Sequence, residues 1–261
     1  MLLRRINKFI GNSMETFYAK DLQIALNQNP GRFDVNSEAL PFGAIETDHL
    51  LEINFDQEKG WQAPKITPFG PLQIHPFNST LHYAISCFEG MKAFKGPQNE
   101  LRLFRPEKNI DRFLLSCEKI SLPKFNKNEL YSLIKSFVRL EHRWVPSKPG
   151  CSMYIRPMAM SMSNKLGVHR PGNGSIYIMA CPVGGYFKPG QKTKLLIDES
   201  FHRNTDKNSG QYKLAANYGP TISLSDEKAS KFGYSQLVWT YNENILEGGA
   251  SNIFFILNEN G

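Results

Sequence analysis

A lysine set among small residues is a place where an amine can turn into a nucleophile. In NSGQYKLAANYGPTI, residues 208–222, Lys213 is followed by Leu214 and two alanines, and Tyr218 comes five residues after the lysine. Desolvation or a nearby cation lowers the pKa of such an amine, and its product with a carbonyl is a Schiff base. A solvated lysine at a helix start would look the same in this window, so the local sequence leaves both readings open. Glu247, in ILEGGASNIFF, is a carboxylate at a strand end followed by two glycines. It can keep a heterocyclic ring nitrogen protonated, or simply face water. Arg112 offers a planar fork that grips phosphate through two parallel hydrogen bonds, or it snorkels on the polar face of a helix. Tyr154 and Arg156, two apart in CSMYIRPMAMSM, share one side of an alternating strand. They present a hydroxyl and a guanidinium to a pocket, or form a structural pair in a sheet.

The elements that must hold these residues follow from hydrophobic period and turn residues. Residues 15–28 fit a short helix or a strand entry, and periodicity does not decide between them. LLEINF alternates as a strand ending at DQEKG, and PLQIHP reads as a second strand after a proline-bounded loop. The apolar run LHYAISCFEGMKAFKG is broken by Glu-Gly and leads through GPQNE to the strand LRLFRP. Ile110, Phe113, Leu114, Cys117 and Ile120 recur at helical spacing, as do Leu130, Leu133, Ile134, Phe137 and Leu140 behind an Asn cap. CSMYIRPMAMSM, NGSIYIMACPV and TKLLIDES read as strands. Lys213 to Phe232 has helical composition interrupted at Gly219-Pro220, and the end of the chain has strand-turn-strand character. IFFIL leads into NENG, a good hairpin turn on which the sequence stops.

Composition narrows the class. The chain has 261 residues, 41% of them hydrophobic and 12% aromatic, the profile of a folded protein of one large or two ordinary domains. No apolar run approaches the roughly 20 residues of a membrane-spanning helix, so no membrane partner is expected. The net charge of +7 is diffuse apart from MLLRRINKFIGNS, and nothing resembles the clustered Lys/Arg with interleaved aromatics of a nucleic-acid surface. Small anionic ligands suit it better. Cys87, Cys117, Cys151 and Cys181 are widely spaced and lack a C-x-x-C pair, which argues against a metal site and for buried free thiols. In the first fourteen residues Leu2, Leu3, Ile6, Phe9 and Ile10 alternate with Arg4, Arg5 and Lys8 as in a transit peptide, or form a frayed basic tail. The compartment stays open between mitochondrial and cytoplasmic, leaning to the former.

Read together, the motifs FEGMKAF, NIDR, MYIRPM, CPVGGYF, GQYKLAANYGPT and LEGGASNIFF, in that order, resemble the branched-chain amino-acid aminotransferases of the fold-type IV pyridoxal-phosphate family over nearly the whole chain. The resemblance implies an α/β (α+β) two-domain fold: a basic segment 1–14, a small αβ domain 15–160, an interdomain connection with first strands 161–185, and a strand-rich, partial large cofactor-binding domain 186–261. It implies pyridoxal 5'-phosphate as cofactor. Lys213 matches the Schiff-base lysine and acid/base, Tyr218 the tyrosine at the phenolic oxygen, Glu247 the glutamate at the pyridine nitrogen, and Arg112 the phosphate arginine, with Asn252 added to the cofactor set. Tyr83, Phe88, Tyr154 and Arg156 match residues lining the substrate side. The reaction implied is transamination of leucine, isoleucine and valine with 2-oxoglutarate by a homodimer.

Family members continue for about another domain-scale stretch, so the chain is expected to lack the phosphate-cradling turn and a loop at the substrate carboxylate. The alternative is a shortened, inactive relative acting as a binding or dimerisation module.

Overall fold

The computed structural model describes residues 15–37, 40–185, 190, 192–199, 208–249 and 251–258. The basic segment 1–14 and most of the expected turn 258–261 lie outside these residues. The chain divides into two compact units, Met1–Tyr186 and Phe187–Gly261. No helix among the described residues is long and apolar enough to cross a membrane.

In chain order the first unit contains β1 (Gln23–Ile24), β2 (His49–Asp56), β3 (Gly60–Trp61), β4 (Lys65–Pro68), α1 (Ser79–Tyr83), β5 (Ser86–Phe88), β6 (Met91–Lys95), β7 (Leu101–Leu103), α2 (Pro106–Lys119), α3 (Lys127–Leu140), β8 (Ser152–Ser161) and β9 (Asn173–Val183). They form a nine-stranded sheet in the order β1-β4-β2-β9-β8-β6-β7, with β3 added on β2 and β5 on β8. Its spine is the antiparallel pair β8–β9, in register from Ser152 opposite Val183 to Ser161 opposite Gly174. β9 also pairs with β2, so the strand expected at the domain connection is central to the sheet. Alternation along β8 buries Met153, Ile155 and Ala159 while Tyr154 and Arg156 stay half-buried on the other face.

The two long helices form where the 3.6-residue period is strongest. α2 has Pro106 at its first turn and buries Ile110, Phe113 and Cys117. α3 is capped by Asn126, whose side-chain oxygen accepts the Asn128 N–H at 2.8 Å, and it buries Leu130, Leu133, Ile134 and Phe137. α2 packs on α3 and on β5.

A buried polar clamp ties the chain's early residues to the end of α3. Asp48 accepts hydrogen bonds from the Gly31 N–H at 2.7 Å, from Arg143 Nε at 2.8 Å and from Trp144 Nε1 at 2.8 Å. Burial alone would push its carboxyl up, but the bonds from Arg143, Trp144 and Gly31 outweigh it and hold the pKa below the usual 3.8. Next to it, His49 Nε2 accepts the Asn27 N–H at 2.9 Å, which puts the ring proton on Nδ1, facing Glu141. Burial pushes the Glu141 carboxyl up, against the pull of His49 and the Asp48 N–H. Asp48, His49 and Glu141 lie within metal-ligand reach of one another. Their inward atoms are engaged by Arg143, Trp144 and each other, so the cluster reads as a structural network.

The second unit contains β10 (Leu195–Asp198), β11 (Gln236–Tyr241) and β12 (Asn244–Gly248). β10 runs parallel to β11, and β11–β12 is a hairpin through Asn242 and Glu243, both with positive φ. Leu237 and Trp239 are its buried centre, packed against Leu196, Leu224, Tyr234 and Leu246.

Three sequence expectations differ. PLQIHP forms no strand: β2 pairs instead with β4, Leu51 opposite Ile66. Pro71 and Pro76 lack the N–H that a ladder needs, while Ile66 can be fully buried. The helical stretch expected from Lys213 to about Phe232, with its break at Gly219-Pro220, is made of short pieces: 3-10 at Ala215–Asn217 and Gly219–Thr221, α-helical at Ile222–Leu224 and π-helical at Ser225–Ser230. Pro220 cannot donate to a continuous helix. IFFIL is not paired as a strand, and Phe254, Phe255, Ile256 and Leu257 are exposed.

Candidate active site

In the first unit the site is built around Glu89, at the Glu-Gly break between β5 and β6. Glu89 is fully buried. Its Oε1 accepts from Arg112 Nε, and its Oε2 accepts from Arg112 Nη2 at 3.0 Å, Asn109 Nδ2 at 2.8 Å and the Gly90 N–H at 3.1 Å. Asn109 and Arg112 stand three apart on α2, so one helical turn aims both at the carboxylate. Asn109 Nδ2 also donates to the Gly90 carbonyl at 3.1 Å. The Arg112 side chain nevertheless keeps 47% of its exposure, so a buried acid orients an arginine that solvent still reaches.

Gly90 is required by close approach. A Cβ there would fall 2.2 Å from the Tyr154 hydroxyl oxygen. That hydroxyl accepts from Arg156 Nε at 3.2 Å and Nη2 at 3.0 Å, and the Arg156 guanidinium stands 4.4 Å from the centre of the Phe88 ring. Burial pushes the Tyr154 phenol up, with Arg156 opposing it. Tyr154 and Arg156 line a cavity of about 300 Å³ whose other walls include Phe42, Phe69, Met179 and Cys181. Three consecutive residues of FEGMKAF thus have distinct tasks: Phe88 stacks on Arg156, Glu89 holds Arg112, and Gly90 admits Tyr154. Tyr83, the fourth substrate-side candidate, is engaged elsewhere: its hydroxyl accepts the Gly167 N–H at 2.8 Å.

In the second unit the Lys213 amine donates to the Tyr218 hydroxyl at 2.7 Å. The short turns between them make this reach possible. Asn217 braces the loop by donating to the Ser209 and Tyr212 carbonyls, both at 2.9 Å, and by accepting from the Ser209 hydroxyl at 2.7 Å. Glu247 sits on β12 opposite Trp239, beside a register shift between Trp239 and Thr240. It shares with Asn252 a cavity of about 470 Å³ lined also by Ile245, Ser251, Ile253 and Phe255.

Sequence reasoning assigned no role to Glu89, Gly90, Asn109 or Asn217. The available signal was an acid inside an otherwise apolar run, which reads locally as a break between strands.

The second unit offers an amine paired with a phenol and a carboxylate on a cavity wall, and the first unit offers two oriented guanidiniums. A family profile described as amino-transferase class IV matches residues 86–260. The mitochondrial branched-chain-amino-acid aminotransferase of Bos taurus is 43% identical over 244 residues, covering 92% of this chain and 62% of that protein. That of Schizosaccharomyces pombe is 44% identical, covering 86% and 53%. Among solved structures, a T.th. branched-chain amino acid aminotransferase with pyridoxamine 5'-phosphate superposes with a TM-score of 0.61 at 26% identity, over 78% of this chain and 63% of that one. The chain therefore spans less than two-thirds of the length of these relatives. The profile takes in more than half of the chain and includes both Glu89 and Lys213, and the chain belongs to the class IV aminotransferase family.

Proposed function

We propose that this chain carries pyridoxal 5'-phosphate on Lys213 and transaminates leucine, isoleucine and valine with 2-oxoglutarate. The observation that carries the reading is the hydrogen bond from the Lys213 amine to the Tyr218 hydroxyl. The side chains present fit the cofactor in kind: an amine for its aldehyde carbon, Tyr218 for its phenolic oxygen, Glu247 with Asn252 for its ring nitrogen, and Arg112 for its phosphate. When bound, the cofactor supplies an electron-withdrawing ring that makes the amino acid's Cα–H acidic. Once the substrate's own amine has displaced it from the aldehyde carbon, Lys213 Nζ would be the base placed to take up that proton. Glu247 keeps the ring nitrogen protonated. The apolar walls Phe42, Phe69 and Met179 suit a branched aliphatic side chain, and Arg156 suits the second carboxylate of 2-oxoglutarate.

The same reading includes a homodimer, the commonest closed assembly, and its check is a mass by light scattering. Relatives carry both mitochondrial and cytosolic names, and the basic N-terminal segment supports the mitochondrial choice. Borohydride reduction of the chain mixed with cofactor, followed by peptide mapping, is the direct test. The adduct is expected on the peptide containing Lys213 and is lost in Lys213→Ala. An adduct on another lysine, with none on that peptide, would remove the basis of the proposal.

A further inference from the structure

We infer that Glu89 is the positioning residue of the phosphate site, and that its buried carboxylate sets phosphate affinity by fixing the plane of the Arg112 guanidinium. The inference rests on the proposed role of Arg112. Two observations carry it. Glu89 is completely buried, although a carboxylate is among the groups least tolerated inside a protein without compensation. Its two oxygens are met by Arg112 Nε and Nη2, Asn109 Nδ2 and the Gly90 N–H, a donor set too complete for an acid trapped by accident. Arg112, by contrast, is about half-exposed. The ordered end of the pair is the acid, and the accessible end is the arginine.

The Arg112 fork is thereby aimed. A guanidinium on a long side chain otherwise samples many rotamers, and an anion that binds it must first stop that motion. With Nε and Nη2 engaged by a carboxylate that cannot itself move, that ordering is already done in the folded chain. Gly90 links the same carboxylate to the substrate face, because the residue that donates to Glu89 Oε2 is also the one that Tyr154 overlies.

Position and charge make opposite predictions. If Glu89 merely neutralised Arg112, then Glu89→Gln would free a positive charge and tighten phosphate binding. Positioning predicts loosening, by about tenfold or more for the loss of a charge-assisted bond. Pyridoxal, which lacks the phosphate, should bind Lys213 equally well in the parent chain and the variant.

The experiment is a pair of absorbance titrations, pyridoxal 5'-phosphate against pyridoxal, on the 261-residue chain, on Glu89→Gln and on Glu89→Asp. Glu89→Asp keeps the negative charge and leaves Arg112 in place but shortens the reach that holds the guanidinium, so it serves if the Gln variant fails to fold. The expected result is a phosphate advantage in the parent that drops by about tenfold in both variants, with pyridoxal affinity unchanged. An advantage that is retained or increased in the folded variants overturns the inference. Equal binding of both compounds by the parent also overturns it while leaving Lys213 as the attachment point. If neither compound attaches to Lys213, the proposed function falls as well.

Discussion

At the scale of single residues, accessibility and not mere presence decides what a side chain can do. The four cysteines show this. Cys87 and Cys117 have their sulfurs 3.5 Å apart and both are buried, and burial with the neighbouring thiol raises the Cys117 pKa well above its usual value. Cys181 is buried and raised by desolvation, whereas Cys151 is half-exposed. Ellman's reagent on the native chain at neutral pH should therefore titrate one thiol quickly, Cys151, and the other three only in denaturant. Fast reaction of Cys87 or Cys117 would show that the core around α2 opens readily. The residue scale was also where the sequence was most readable for one pair and least for another. Lys213 and Tyr218 lie in one short distinctive run, so their meeting needs only a local turn. Glu89 meets a helix twenty-odd residues away, and no local pattern marks an acid that will be buried by a distant arginine.

At the scale of elements, Gly90, between β5 and β6, is under a tight steric constraint. Gly90→Ala puts a methyl group against the Tyr154 ring. Because Arg156 holds the Tyr154 hydroxyl, relief requires moving β8 or breaking its two hydrogen bonds. The expected cost is about 1–3 kcal/mol, as for overpacked cores. A chemical-denaturation midpoint equal to the parent's would show that Tyr154 swings away freely. α2, α3, β8 and β9 were legible because their periodicities are local and long. The pairing partner of β2 was not, since Lys65–Pro68 and the 71–76 stretch carry similar apolar alternation and only the prolines and the register with Leu51 and Glu52 separate them. After Lys213 the break at Gly219-Pro220 was readable from the proline, whereas the 3-10 and π geometry of the pieces was not, because composition does not separate them from α-helix.

At the scale of the whole molecule, acid sensitivity should centre on Asp48. Its pKa is depressed in the folded chain, so its stabilisation is present above the unfolded value near 3.8 and is lost as pH falls through the folded value. Glu141 works in the opposite sense, because its raised carboxyl favours the folded state below its unfolded value and loses that contribution as pH rises. Comparing Asp48→Asn with the parent isolates the first effect. Urea midpoints measured from about pH 2 to 5 should fall steeply toward the acid end in the parent and less steeply in the variant; identical slopes would place the acid sensitivity elsewhere.

The same clamp has a consequence for the order of assembly. The bonds that tie Asp48 and Gly31 to the end of α3 join residues 93 to 112 positions apart in the chain, whereas the α2 and α3 ladders and the β8–β9 pair close over far shorter loops. Contacts of such long separation form late, after the loop-closure entropy has been met by other structure. Residues 27–31 should then be among the last parts of the first unit to settle and among the first to open, exchanging their amide hydrogens by a local unlatching while the β8–β9 pair remains protected.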